Sequence, residues 1–262
     1  MTALYPNPKF KPMNSVDSKI QPGQRGRGFT LVEMLVVIAI MSILMTAGAI
    51  GLGGMGGKGV TSGVASAESL FDEARATAVG RNMRACVLVA KSLTNNSTDD
   101  LRRIVVAYEE TETNTASPNY GQAKNPTSTS PNWELSSRGA VLPEQTFFSG
   151  RFSKKDHQTG AGTMDVVSSS KIVGVKSAFA GDYYIYQFNS QGICSTPGAS
   201  FIIGNGARNT TKASSVQPPR VTSASKRDFG GFVIWRNGKT SVFRSPDQMG
   251  SEIKTLTPGK EF

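Results

Sequence analysis

The chain has 262 residues, of which 29 are Lys or Arg and 19 are Asp or Glu, and its formal net charge is +10. This length is enough for one modest soluble domain beside a terminal segment. A single histidine excludes His-rich metal sites, and two cysteines are too few for a disulfide framework.

Residues 1–28 are polar, contain proline and show no hydrophobic periodicity, which predicts a disordered leader. Five basic residues in this segment outnumber the single acidic residue, Asp17, so much of the basic excess of the chain lies here. Basic residues that precede an apolar helix stay in the cytoplasm. The part of the chain that follows the helix is therefore expected outside. The basic residues are Lys9, Lys11, Lys19, Arg25 and Arg27.

A long apolar run follows the leader, and it carries a single carboxylate. Residues 28–33 read GFTLVE, and after Glu33 no charge appears until Lys58. About twenty apolar residues are enough to cross a bilayer as a helix, so residues 29–57 predict a transmembrane helix. A lone carboxylate is costly in hydrocarbon, which suggests a purpose for Glu33. The alternative is an ordinary signal anchor with an incidental glutamate.

The segment Gly28-Phe29-Thr30-Leu31-Val32-Glu33 resembles the processing site of type IV prepilins and type II secretion pseudopilins. The resemblance implies that a prepilin peptidase cleaves between Gly28 and Phe29 and then N-methylates Phe29. The new Phe29 amine of an incoming subunit would pair with Glu33 of a neighbour, because a charge pair in low dielectric is favourable only when both partners are well placed. In a secretory signal peptide the apolar region precedes the cut, whereas here the helix stays on the mature protein.

The same resemblance implies an α+β pilin fold, in which a long N-terminal helix packs on an antiparallel β-sheet domain. The expected boundaries are a leader at 1–28, a transmembrane helix with a glycine-rich exit at 29–57, an amphipathic helix at 58–84 and a β-rich domain at 85–262. The implied location is the bacterial inner membrane, with a single pass, a cytoplasmic N-terminus and a periplasmic or extracellular C-terminal domain. The implied partners are the prepilin peptidase, other pilins or pseudopilins of a hetero-oligomeric filament, the inner-membrane assembly platform and membrane lipid.

Seven glycines crowd the end of the apolar run, between Gly48 and Gly59. Each interior glycine costs a helix roughly 1 kcal/mol relative to alanine, so one expectation is a frayed or hinged stretch after about Ala47. The other is a continuous helix whose small residues pack closely against neighbours.

Apolar residues recur at steps of three and four from Val60 to Asn82, which predicts an amphipathic helix that lies against a sheet. Acidic residues precede basic ones along this segment, an order that complements the helix dipole. The apolar positions are Val60, Val64, Ala67, Leu70, Phe71, Ala74 and Ala78.

The rest of the sequence predicts a succession of short strands. We expect them at 85–90, 103–108, 171–175, 183–189, 200–204, 231–236 and 240–244, with an edge strand within 133–148. Asn237-Gly238 predicts a tight hairpin, because both residues tolerate positive φ. The polar stretch 150–170 is expected to be a connection, and 109–132 a long mobile loop with little to bury.

The order of these elements resembles the GspH/FimT family of minor pseudopilins, although the loops here are longer. The dense glycine run also resembles that of pilin-like proteins of gene cassettes in the Verrucomicrobia. The pieces that match the first family are the helix from Phe71 to Ala78 with Arg81-Asn82, the Cys86 strand, Trp133 with Leu142-Pro143, the segment from Phe188 to Gly192, and the closing strand around Asn237-Gly238.

Few residues offer chemistry of their own. Cys86 and Cys194 could form one disulfide in an extracytoplasmic domain if their Cα atoms lie within about 7 Å, and two buried thiols are the alternative.

The lone Gly204-Asn205-Gly206 predicts a turn, and His157 is expected in solvent within a polar loop. Because no nucleophile or metal motif is present, we expect no enzymatic activity, no catalytic residue, no metal and no cofactor.

Residues 207–228 form a basic loop. A cationic loop can hold phosphates through counterion release, so DNA is a further candidate partner. FimT-like pilins resemble DNA receptors of uptake machines, but their contacts lie in a basic C-terminal tail, and residues 251–262 carry no such arginine cluster. The composition of the loop favours a solvated segment. The alternatives to a structural pilin are thus a DNA-binding minor pilin or a tethered periplasmic binding protein. The basic residues are Arg208, Lys212, Arg220, Lys226 and Arg227.

Overall fold

The computed structural model describes residues 31–53, 55–208, 219–223 and 226–262. It forms two compact units, Met1–Ala49 and Ile50–Phe262. The helices are α1 (Leu31–Gly53), α2 (Met55–Arg81) and α3 (Ser251–Lys254), and short 3-10 turns lie at Ser97–Asp99, Ser169–Lys171, Ser177–Phe179 and Pro246–Met249. The strands are β1 (Ala85–Leu93), β2 (Arg103–Glu109), β3 (Trp133–Leu135), β4 (Ala140–Val141), β5 (Thr146–Phe148), β6 (Lys154–Asp156), β7 (Ala161–Thr163), β8 (Val166–Ser168), β9 (Ile172–Val173), β10 (Gly181–Phe188), β11 (Ser200–Asn205), β12 (Phe229–Ile234) and β13 (Thr240–Val242).

Helix α1 contains most of the apolar run, in which Leu, Val, Ile, Met and Ala dominate and no proline interrupts. The described glycines of the following stretch are helical, three in α1 and three in α2. The predicted fraying is therefore not seen at these residues. Gly54 lies outside the described residues.

The amphipathic character predicted for 60–82 is confirmed in α2. All seven predicted apolar positions are buried, and one face of the helix lies against both sheets. Phe71 is the centre of this contact, with ring centroids 5.1 Å from Tyr186 on one sheet and 5.1 Å from Phe232 on the other. Edge-to-face pairs of this kind stabilise a core beyond the area that they bury. Farther along the same face, Thr240 hydrogen-bonds Glu68 and so joins β13 to the helix.

The larger sheet has the order β8-β10-β1-β2-β3-β9, with β4 also paired to β2. Strand β1 lies in its middle, and its first six residues are all buried because both faces of the sheet are covered. Ala85, Val87 and Val89 belong to the core beneath α2, whereas Cys86, Leu88 and Ala90 belong to a second core on the opposite face. Alternation of side chains along a strand produces this division.

The larger sheet is strongly curled. Its terminal strands β8 and β9 are five strand spacings apart in the sheet order, which would be about 24 Å in a flat sheet. Yet only four residues of chain lead from Ser168 to Ile172, and these reach at most about 14 Å. The sheet therefore bends until its two ends approach, and the second core fills the concave side. Trp133, which is 1 % exposed, lies in that core.

The smaller sheet has the order β13-β12-β11-β5. Its last hairpin forms where it was predicted, but the turn differs from the expected one. Only Gly238 has a positive φ, 75°, and Asn237 does not. The Gly238 N–H donates to Trp235 O (2.8 Å) and the Trp235 N–H to Lys239 O (2.8 Å), so the loop has three residues rather than two.

The predictions for three connecting segments hold only in part. Residues 110–132 form a long, largely exposed loop without a named strand or helix, as expected. Segment 109–132 is folded back on itself by hydrogen bonds between Glu112 and Gln122 (2.9 Å) and between Lys124 and Glu110 (2.8 Å), and it buries Ala123. Segment 133–148 contains three strands shared between two sheets, and the last of them, β5, is an edge strand of the smaller sheet. Segment 150–170 contains the β6–β7 hairpin and β8. The strands of 133–148 and β8 pair with other segments of the chain, which hides them from a local pattern. The β6–β7 hairpin is local, but its short polar strands lack the apolar alternation that marks a strand.

Candidate functional site

The expected processing site lies at the start of α1. Gly28 and Phe29 lie outside the described residues. Glu33 occupies the first turn of the helix and is exposed. A carboxylate in the first turn interacts favourably with the positive end of the helix dipole, so the sequence places Glu33 where a helix tolerates it best.

The apolar side chains at the start of α1 are exposed. Leu31 is 82 % exposed, Val32 70 % and Ile38 62 %, and every residue from 31 to 42 is exposed. Contiguous apolar surface of this kind on a protein marks an interaction site. Within the described ranges, no helix combines the length and the hydropathy needed to cross a membrane.

Two arginines of the basic loop contact other parts of the protein. Arg208 is half-buried, its guanidinium donates to the Asp100 carbonyl (2.7 Å), and it lies 5.4 Å from the Phe147 ring centroid. Burial lowers the pKa of Arg208. Arg220 pairs with Glu261 at 3.1 Å and bridges Ala207 through the backbone. These two arginines are candidates for nucleic-acid contact from the sequence, and in the structure both contact the protein itself.

The other members of the basic set are less engaged or are not described. Lys226 and Arg227 are exposed at the end of the loop, just before β12. Lys212 lies outside the described residues. The described part of the loop therefore offers three exposed cations, of which Arg220 is paired with Glu261.

Cys86 and Cys194 are free thiols, both buried. Cys86 lies on the concave face of the larger sheet, and Cys194 lies in the core beneath α2. The sheet separates them, so the disulfide considered from the sequence does not form. Burial raises the pKa of both thiols, that of Cys86 well above its usual value. A thiol that stays protonated reacts slowly, which favours the alternative of two inert core cysteines.

Two further predictions are corrected by the structure. His157 is not simply solvated, because its Nε2 lies 2.7 Å from Gln248 O and its ring centroid 4.6 Å from that of Phe243. Gly204 and Asn205 belong to strand β11 rather than to a turn. A side chain at Gly204 would collide with the rings of Phe229 and Phe262, which explains the glycine there. The tyrosines of β10 pack in the two cores.

Sequence reasoning missed a cavity of about 640 Å³ at the second core. Its walls come from β2, from the segment after β3, and from the segment between β9 and β10. No single stretch of sequence contains enough of the cavity to reveal it. Phe179, an aromatic residue in a polar connection, is the one local signal of a buried site. The residues that surround it are brought there by the curl of the sheet, so the sequence alone does not identify them.

A comparison with protein families supports the N-terminal segment alone. A family model described as a prokaryotic N-terminal methylation motif matches residues 24–49. The searches of curated proteins and of solved structures gave no match to the chain. The matched segment contains Gly28, Phe29 and Glu33, and it extends into the apolar helix. The motif supports a type IV pilin-like or pseudopilin-like protein that a prepilin peptidase processes.

Proposed function

We propose that this chain is a structural minor pilin or pseudopilin with a pilin fold, which assembles into a type II secretion or type IV pilus-like filament. One observation carries the proposal: the methylation motif at 24–49 leads into an apolar helix and then into an amphipathic helix packed on largely antiparallel sheets. The GspH/FimT kind of minor pseudopilin is the subfamily that the order of elements favours.

The proposed mechanism of assembly uses the exposed apolar side chains of α1. Cleavage between Gly28 and Phe29 gives Phe29 a cationic amine, which pairs with the Glu33 carboxylate of a neighbouring subunit. The exposed side chains at 31–42 then pack against neighbouring helices. A pair that is well placed in low dielectric is favourable, and a misplaced one is costly. The pair thus sets the register between subunits.

Before assembly, the segment 29–57 holds the chain in the bacterial inner membrane. Residues 29, 30 and 54 of this segment lie outside the described residues. Support comes from the sequence, in which no charge follows Glu33 until Lys58 and in which basic residues precede the helix. The β domain then faces the periplasm or the exterior. In this proposal the protein is a substrate of the peptidase rather than an enzyme.

The test is mass spectrometry of the mature N-terminus after co-expression with a prepilin peptidase. The wild-type chain is expected to begin at Phe29 and to carry one added methyl group on its amine. A Gly28→Leu variant is expected to retain residues 1–28. Glu33→Gln is expected to be cleaved but to lose cross-links to other pilins, whereas the leader variant Asp17→Asn serves as the matched control and behaves as wild type. A wild-type chain that keeps its leader would overturn the proposal.

A gel shift with the full chain at two salt concentrations separates this proposal from a DNA-binding pilin. Binding through phosphates weakens steeply as salt rises. We expect no salt-sensitive shift, because Arg208 and Arg220 already contact the protein. A shift that Lys226→Gln/Arg227→Gln abolishes would favour DNA uptake instead.

A further inference from the structure

The cavity at the second core has the size of a small-molecule site. Its volume of about 640 Å³ falls within the range of about 300–1,000 Å³ that is typical of ligand pockets. Val105 of β2 and Tyr183 of β10 line it from the sheet, and the segments 135–138 and 174–179 line it from the connections. The curl of the larger sheet brings these distant segments together.

The walls of the cavity are largely apolar. Its hydrophobic lining residues all belong to the second core or pack against it. The Tyr183 hydroxyl donates to the Phe179 carbonyl (2.5 Å), so this polar group already has a partner. A ligand must therefore present apolar surface to most of the cavity. The hydrophobic lining residues are Val105, Leu135, Ile172, Val175, Phe179 and Tyr183.

The charges around the cavity are of one sign. Arg103, Arg138 and Lys176 line it, and none of the described residues that line it is acidic. Arg103 is held in place by Asp99 (2.6 Å) behind the wall and by the Phe179 ring, 4.3 Å away. Asp99 largely balances its charge. Arg138 and Lys176 are exposed and supply the excess positive charge. A carboxylate or similar anion is the group that such cations recognise.

A second cavity in the same unit provides a comparison. It measures about 530 Å³ and is lined by Lys154 and His157 but also by Asp247 and Glu252. Because both cationic and anionic side chains line this second cavity, it does not favour an anionic ligand over a cationic one. The combination of an apolar wall and an unbalanced positive rim is found in the larger cavity.

We propose that the larger cavity binds an amphipathic organic anion, a free carboxylic acid with an apolar chain, for which octanoate serves as the probe. The apolar walls would accept the chain, and Arg138 and Lys176 would meet the carboxylate at the rim. Both parts are needed, because a buried carboxylate without a partner is costly and exposed cations alone do not select a ligand. The site is independent of the processing motif, so it stands or falls separately from the proposed role in a filament.

The experiment is photolabelling of the full chain in its membrane with an octanoate analogue that carries a diazirine in its chain. Labelled residues are mapped by mass spectrometry and are expected in segments 135–138 and 172–179. Excess octanoate should protect these segments. Octanol, which keeps the chain, and acetate, which keeps the charge, should each protect at least tenfold less. The variant Arg138→Gln/Lys176→Gln removes both cations that meet the carboxylate and should weaken protection by octanoate at least about tenfold.

A matched control is Arg236→Gln/Lys239→Gln, which removes two exposed cations from the turn between β12 and β13 and should leave protection unchanged. Thermal unfolding of both double variants should match the wild type, since all four side chains are exposed. Equal protection by octanol and octanoate, or labelling spread over the surface, would overturn the proposal. Protection by anionic phospholipid vesicles but not by octanoate would assign the site to a lipid headgroup and would overturn it as well.

Discussion

Arg84 and Glu109 form a two-point ion pair, with Nε 2.9 Å from Oε2 and Nη2 2.5 Å from Oε1. The side chain of Glu109 is 4 % exposed and that of Arg84 25 %. Arg84 also donates to the carbonyls of Ser128 (2.7 Å) and Pro126 (3.5 Å). One guanidinium therefore joins the end of α2, the end of β2 and the polar segment 109–132, which explains why that segment is folded.

The variant Arg84→Ala is expected to lower the free energy of unfolding by about 3 kcal/mol, because it leaves the Glu109 carboxylate buried without its partner. For a domain of this size the melting temperature should fall by roughly 6–12 °C. Near-ultraviolet circular dichroism of the full chain during heating measures the change. The control Arg236→Ala removes an exposed arginine and should melt within about 2 °C of the wild type. Equal melting of the two variants would show that the ion pair contributes nothing.

Two glycines of α2 should respond to alanine with opposite signs. A Cβ at Gly63 would lie 2.8 Å from Ile203 Cδ1 and 3.4 Å from Leu142 Cδ2, so the buried Ile203 side chain or the helix would have to shift. Gly63→Ala should therefore cost roughly 1–2 kcal/mol. A Cβ at Gly80 would meet nothing within 4 Å, and Gly80→Ala should add about 0.5–1 kcal/mol through the higher helix propensity of alanine.

Chemical denaturation of the two variants measures this difference, and each serves as the control for the other. A stabilising effect of both substitutions would mean that α2 does not approach the sheet at Gly63 as closely as described. A destabilising effect of both would mean that Gly80 has neighbours which the structure does not show.

The parts of the fold that the sequence predicted are those with a local signature. The buried face of α2 follows from residues three and four apart, and β1 and β2 follow from short continuous apolar runs. The parts that it missed depend on partners far away in the chain. Trp133 pairs in parallel with Ile172, and the sequence around either residue does not predict this pairing. The curl and the cavity both depend on that pairing.

The candidate site divides in the same way. Glu33 could be recognised because the motif and the apolar run lie within one short segment. Arg208 was misjudged, because a basic residue in a polar stretch looks solvated until its contact with the Asp100 carbonyl is known. The two cysteines could not be assigned to opposite faces without the register of β1.

Cys86 and Cys194 are expected to stay reduced and to resist modification in the folded protein. Burial raises the pKa of each thiol, so little thiolate is present at neutral pH. Incubation of the native full chain with a maleimide should modify neither cysteine within the time that modifies both in urea. Mass spectrometry counts the added groups. Finding a Cys86–Cys194 disulfide in protein from an oxidising compartment would contradict the arrangement of the two cores.

Tyr183 should make the β domain less stable above about pH 10. Burial raises the pKa of its phenol from its ordinary value of 10.0 to about 12, against a smaller lowering by Arg103. The folded protein thus holds the proton more tightly than the unfolded chain does. The stabilisation is complete below pH 10 and is lost as the pH rises toward 12, because there the unfolded chain releases a proton that the folded protein keeps.

The measurement is the free energy of unfolding of the full chain between pH 9 and pH 12, compared with that of Tyr183→Phe. This variant also loses the hydrogen bond to the Phe179 carbonyl, so its stability at neutral pH is expected to be lower and the slope with pH is the diagnostic quantity. The slope should become shallower but should not vanish, since burial raises the pKa of Tyr184 and Tyr186 too. Tyr120→Phe, at a side chain that is 57 % exposed, is the control and should keep the wild-type slope. If Tyr183→Phe kept the same slope as Tyr120→Phe, the phenol of Tyr183 would have to be open to water, and the second core would not be closed around it.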